Sequence, residues 1–234
     1  MTRRIVTIDI ETLPASEPVV DECLSNGTRK QKDEYEKTAL NGDFGRVLCI
    51  GYVKEDERGI ESSDVLGWDE TSERFTCDER AILTEFWHMM QGFRPETDRV
   101  VGHNIFDFDL KFIYKRSIVH GVRPTVGLSF ARYRSQPIYD TMCEWERWSF
   151  GSRIKLDRLA RVLSLASSKA DGVDGSCVFR LFEQGEHRLI RDYCWRDVEL
   201  TRAIYRRMVF ADLAPARPVG AALSTQGLTA NVSM

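Results

Sequence analysis

The chain has 234 residues, 42% hydrophobic and 29% charged, with a formal net charge of −3. That composition suits an ordinary soluble globular protein of one large or two small domains. It excludes a general polyanion binder, so a nucleic-acid site must be a local basic patch or work through metal ions.

The N-terminal stretch "IVTIDIETLP" reads as a first strand over residues 4–11. Alternation puts Thr7, Asp9 and Glu11 on one face and Val6, Ile8 and Ile10 on the other. Two carboxylates on one face repel each other, and buried ones need a compensating cation. A wet face on an edge strand would tolerate them equally well. Residues 15–46 are polar and irregular, long for a connection, and read as a functional flap or insertion; its "RKQKDEYEK" suggests a short helix. "RVLCIGYV" (46–53) is a second strand and "SDVLGWD" (63–69) a third.

Helical spacing follows over 78–93, with Asp78 as a cap. "DRVVGHN" (98–104) is a strand running into a turn, and 108–121 a helix stopped by Gly121. Residues 137–150 read as a short strand and a helix, 155–165 as an amphipathic helix, 166–176 as a loop and 186–210 as a long helix. Residues 211–234 look like a tail. Strands dominate the first half and helices the second, which suggests a mixed sheet with helices on both faces, in one domain at 1–210.

The six cysteines form no CxxC and none has zinc-ligand spacing to a histidine, so they read as reduced thiols of a cytoplasmic protein. No apolar run reaches transmembrane length, so no membrane partner is expected.

Two further acidic clusters matter. "HNIFDFDL" holds Asp107 and Asp109 at the end of a strand, where either could serve chemistry or merely cap the helix. "DYCWRDVEL" puts Tyr193 and Asp197 four residues apart on one helix face, alone no more than a surface pair.

Together the three clusters resemble the exonuclease motifs of the DEDD superfamily. Asp9 and Glu11 match Asp-x-Glu, Asn104, Phe108 and Asp109 match Asn-x-x-x-(Phe/Tyr)-Asp, and Tyr193 and Asp197 match Tyr-x-x-x-Asp. The His branch carries histidine five residues before the last Asp, where this chain has Asp192. The resemblance is therefore to the Tyr branch, in particular to stand-alone proteins similar to the proofreading domain of family-B DNA polymerases. It spans about residues 4–205, with no polymerase domain expected in the chain.

The resemblance implies a ribonuclease H-like α/β fold and a 3′→5′ exonuclease acting on single-stranded 3′ ends, DNA favoured over RNA, releasing nucleoside 5′-monophosphates. It implies that Asp9, Glu11, Asp109 and Asp197 hold two divalent ions, Mg²⁺ or Mn²⁺, ~4 Å apart, and that Tyr193 orients the attacking water. It also implies substrate contacts by Thr12, by Leu13 as a wedge against the terminal base, and by Asn104 and Phe108 along the strand. Lys169 loosely matches a phosphate-contacting lysine, and Arg132 and Arg134 are candidates for the substrate backbone. The alternatives are a non-catalytic nucleic-acid-binding module on the same fold and an exoribonuclease.

Overall fold

The computed structural model describes residues 2–16, 34–149, 151, 153–166 and 174–211. Its strands are β1 (Ile5–Leu13), β2 (Arg46–Asp56), β3 (Gly59–Leu66), β4 (Trp68–Asp69), β5 (Arg74–Phe75), β6 (Arg99–Gly102) and β7 (Ile138–Asp140). Its α-helices are α1 (Glu79–Met89), α2 (Asp109–Val119), α3 (Thr141–Trp145), α4 (Leu156–Val162), α5 (Val178–Glu183) and α6 (His187–Met208).

Five strands form one mixed sheet in the order β3-β2-β1-β6-β7. β1 runs antiparallel to β2 and parallel to β6, and β6 runs parallel to β7. β1 is therefore the middle strand. The sheet order disposes of the edge-strand reading of Asp9 and Glu11, because β1 is flanked by a strand on each side.

Alternation along β1 assigns its two faces. Val6, Ile8 and Ile10 enter one core with Ile82, Leu83, Phe86 and Trp87 of α1 and Leu110, Phe112 and Ile113 of α2. Each such side chain contributes about 1.5–3 kcal/mol on full burial. On the opposite face α6 lays Ile190, Tyr193 and Cys194 against Leu13, Leu48, Cys49 and Val65. Leu159 and Ala160 of α4 pack on Leu200 and Ile204 further along α6.

Local chemistry sets the helix starts. Asp78 caps α1 by accepting the Ala81 N–H at 3.0 Å. Glu79, buried in the first turn of α1, accepts the Val47 N–H of β2 at 2.7 Å and two N–H groups of Arg116 on α2, each at 2.9 Å. That carboxylate ties two helices to the sheet. Gly121, just past α2, takes φ +63°, as expected of a glycine that stops a helix.

The structure corrects the third strand. β3 ends at Leu66, and Trp68–Asp69 pairs instead with Arg74–Phe75 in a separate two-stranded ribbon. Gly67 makes the break: it has φ +92°, and a Cβ there would lie 2.7 Å from Ile82 Cδ1 and 2.9 Å from Leu48 O. Helix α5 was not expected, because six residues are too few for a helical period to register. In the 15–46 segment, residues 34–37 are helical and Thr38–Leu40 form a 3₁₀ turn.

Candidate active site

The acids come together because α6 lies very close to the sheet. Asp9 pairs in register with Gly51 of β2. A Cβ at position 51 would stand 2.8 Å from Val198 Cγ2 and 2.9 Å from Cys194 Sγ. Only glycine lets this helix pack so near Asp9. Asp197 adjoins Val198, so the close approach carries it to the strand. Carboxylate oxygens of Asp9, Glu11 and Asp197 all lie within 4.8 Å of one another.

Asp109 stands outside that group but borders it. It opens α2 and its Oδ1 accepts the Ile10 N–H of β1 at 3.2 Å. This bond fastens the second acidic cluster between Asp9 and Glu11. Asp107 is placed differently: it pairs with Arg132 and with Arg153, the latter at 2.9 Å. The two candidates in "FDFD" are thus separated, Asp109 facing the acids and Asp107 facing arginines.

The loop carrying them is organised by Asp140, which is fully buried at the end of β7. Its carboxylate accepts N–H groups from Asn104 at 3.0 Å, Phe106 at 3.3 Å, Met142 at 3.0 Å and Cys143 at 3.1 Å. It caps α3 and at the same time sets the turn leading to Asp109. Asn104 takes φ +65°, a left-handed conformation that Asn tolerates, and its carbonyl accepts the Phe108 N–H at 3.0 Å.

A cavity of about 620 Å³ opens over the acids. Asp9, Glu11, Asp109, Asp197, Tyr193, Thr12 and Phe108 all line it. Opposite Glu11 and Thr12 the pairing skips Leu48, so the extra residue of this bulge lies in β2. Thr12 also donates its hydroxyl to Ala39 O at 2.7 Å, docking the 34–40 segment on the rim, where Lys37 and Leu40 join the lining.

Two expected substrate contacts are placed elsewhere. Leu13 is 2% exposed, packs with Leu48, Cys49, Val65 and Tyr193, and does not line the cavity. Asn104 sits in the turn behind Phe108 rather than on the cavity wall. Lys169 lies outside the described residues. Besides Lys37 on the rim, Lys155 borders the acids, lining an adjoining cavity of about 310 Å³ together with Tyr193 and Asp197. Phe179 of α5 and Ser176 also line the main cavity. No sequence signal distinguished these three: an ordinary lysine, serine and phenylalanine carry no motif, and only folding brings them to the acids.

The site is electrostatically costly by itself. Burial, then Asp197, Asp109 and Glu11, hold the Asp9 carboxyl well above the usual carboxylate range. Burial, with Cys49, Asp197 and Asp109, does the same to Glu11. Asp109 is pushed up to about 7, chiefly by burial, although the N–H groups it accepts pull the other way. Burial and the negative field of Glu11, Asp197 and Asp9 raise the Tyr193 hydroxyl, so it stays protonated and acts as a donor. His103 on the cavity wall is lowered by burial and is held by Ile154 O and Thr141 Oγ1, both at 2.9 Å.

Such a set suits a hard divalent cation. All the donors are carboxylate oxygens, the charges acting most strongly on them are of one sign, and Lys37 is the only cationic residue among the described residues lining the cavity. Oxygen-only donors favour Mg²⁺ or Mn²⁺ over zinc.

A central mixed sheet flanked by helices, with carboxylates from β1, α2 and α6 meeting over it, is the ribonuclease H-like architecture of exonucleases. The chain belongs to a family described as predicted 3′-5′ exonucleases related to the exonuclease domain of PolB, whose model matches residues 37–214. That membership assigns nuclease chemistry and a nucleic-acid substrate. The matched stretch contains Asp109, Tyr193 and Asp197 but begins after β1; Asp9 and Glu11 join them through the fold. No curated protein matches the chain. Among the described residues no helix is long and apolar enough to cross a membrane.

Proposed function

We propose that this chain is a metal-dependent 3′→5′ exonuclease that shortens single-stranded ends, DNA in preference to RNA, and releases nucleoside 5′-monophosphates. The observation that carries the reading is the convergence of Asp9, Glu11 and Asp197 within 4.8 Å at the floor of an open cavity. Asp9, Glu11, Asp109 and Asp197 would hold two divalent cations, Mg²⁺ or Mn²⁺. Bound there, such ions supply positive charge for the phosphodiester and lower the pKa of a coordinated water.

The protein's own groups do the positioning. Tyr193, held protonated, donates its hydroxyl toward the water or a phosphate oxygen and does not act as a base. Thr12 and Phe108 contact the terminal nucleotide, where stacking on an aromatic ring is worth about 1–3 kcal/mol. The 34–40 segment forms the rim of the nucleotide cavity, so the insertion belongs to an exonuclease domain spanning 1–210. The described cysteines are all free, in keeping with a reducing cytoplasm.

The test is digestion of 5′-labelled single-stranded DNA, duplex DNA and RNA with Mg²⁺, Mn²⁺ or chelator. A ladder of single-nucleotide steps from the 3′ end is expected, strongest on single-stranded DNA and lost in chelator and in Asp9→Ala or Asp197→Ala. Binding without shortening would establish a non-catalytic module, internal fragments would establish an endonuclease, and faster loss of RNA would reverse the DNA preference.

A further inference from the structure

The surface beside Asp107 has a composition that the metal site does not use. Phe106 packs edge-on against Trp148 and Phe130, with ring centroids 5.4 and 6.5 Å apart. Tyr133 lies against Trp148 with centroids 5.3 Å apart. Yet Tyr133 is 62% exposed and Phe130 38% exposed, so the aromatic stack continues from the core into solvent. Tyr133, Arg147 and Trp148 all have positive φ, of 64°, 50° and 60°. Non-glycine residues occupy that region only when surrounding structure holds them there.

Arginines surround the rings. Arg132 and Arg153 share one carboxylate, Asp107, and their side chains are 50% and 66% exposed. Arg134 and Arg147 are exposed and form no ion pair among the described residues. Against these four arginines stand three acids: Asp107, Glu146, and Glu144, which accepts the Trp148 indole N–H at 3.3 Å. In a chain of net charge −3 this is a local excess of positive charge around exposed rings. The patch is continuous with the catalytic cavity. A small groove lined by Leu40, Asp107, Phe108, Lys111 and Lys115 shares Leu40 and Phe108 with that cavity and Asp107 with the arginines.

We propose that Tyr133, Trp148 and the arginines around Asp107 form a platform that holds the single strand upstream of the 3′ end. Exposed rings take the flat faces of bases without regard to sequence, and the guanidinium groups take the phosphates between them. The lysines of the connecting groove carry the backbone from the platform to the acids. This rests on the reading of the site as a nuclease for single strands and adds where the rest of the strand lies. Processive or distributive behaviour would be decided here, because the platform keeps hold while the end is shortened.

The experiment measures binding to fluorescein-labelled thymidine oligomers of three and fifteen nucleotides by anisotropy, in chelator, so that no cleavage occurs. The 15-mer should bind at least tenfold more tightly than the trimer. In Tyr133→Ala the 15-mer should weaken by about 5- to 100-fold, as expected for one lost stacking contact, and the ratio of 15-mer to trimer affinity should collapse. Tyr133→Phe should retain the ratio, because the face of the ring and not the hydroxyl is used. Arg134→Ala should lessen the salt dependence of 15-mer binding by about one phosphate contact. Equal affinities for trimer and 15-mer in the wild type, or an unchanged 15-mer affinity in both Tyr133→Ala and Arg134→Ala, would overturn the platform. Wild-type protein that binds with this length dependence but never shortens the strand would leave the platform standing and remove the nuclease reading.

Discussion

Asp109→Asn should make the metal-free protein more stable while abolishing its nuclease activity. In the fold the Asp109 carboxyl is raised from 3.8 to about 7. Its ionised form is therefore about 4 kcal/mol less favourable in the fold than in the unfolded chain. The native state holds the proton more firmly, so between roughly pH 4 and 7 it binds more protons than the unfolded state, and stability falls as pH rises through that window. Asparagine cannot ionise, and its carbonyl can still accept the Ile10 N–H. Burying the new amide N–H groups costs about 1–3 kcal/mol, which leaves a net gain of about 1–3 kcal/mol at pH 8. At pH 5 the wild-type carboxyl is already protonated and the gain should vanish. Urea unfolding of both proteins in chelator at the two pH values measures this directly. Saturating Mn²⁺ should reverse the order at pH 8, because the wild type has the fuller ligand set and is stabilised more. Equal stability at pH 8, or the same gain at pH 5 and pH 8, would refute the argument that the site is destabilised by its own charge.

Gly51→Ala should push α6 off the sheet, since the new methyl meets Val198 and Cys194 at under 3 Å; thermal unfolding should show a loss of about 1–3 kcal/mol, and activity should drop by up to about 100-fold as Asp197 shifts from Asp9. Tyr193→Phe should lower kcat by about 100- to 1,000-fold with Mn²⁺ affinity by calorimetry nearly unchanged, and an unaltered rate would remove the hydroxyl from the reaction. Asp140→Ala strips acceptors from four buried or half-buried N–H groups and should cost about 2–4 kcal/mol in urea, whereas Asp140→Asn, which keeps an acceptor oxygen, should lose less.

Much of the site was legible because its parts are short-range patterns. Asp9 and Glu11 announce themselves as acids in an apolar strand, and Tyr193 and Asp197 as partners at helical spacing. Asp109 could be told from Asp107 only through the family pattern until the fold showed one facing Ile10 and the other facing Arg132 and Arg153. Leu13 was expected at a base only through the family pattern; its packing against Tyr193 and Cys194 joins residues 180 or more positions apart, which no short-range pattern announces.

The linear chain by itself determined the alternation of β1, the start of α1 at Asp78, the apolar stripe of α6 and the residue types able to hold a cation. These depend on neighbours within a few positions. Tertiary structure alone decided that β1 lies mid-sheet, that Gly51 lets α6 approach Asp9, that Asp140 also accepts the distant Asn104 and Phe106 N–H groups, and that Lys155, Ser176 and Phe179 border the acids. Those outcomes depend on contacts between residues dozens of positions apart, where a single methyl group or one carboxylate settles which surfaces can meet.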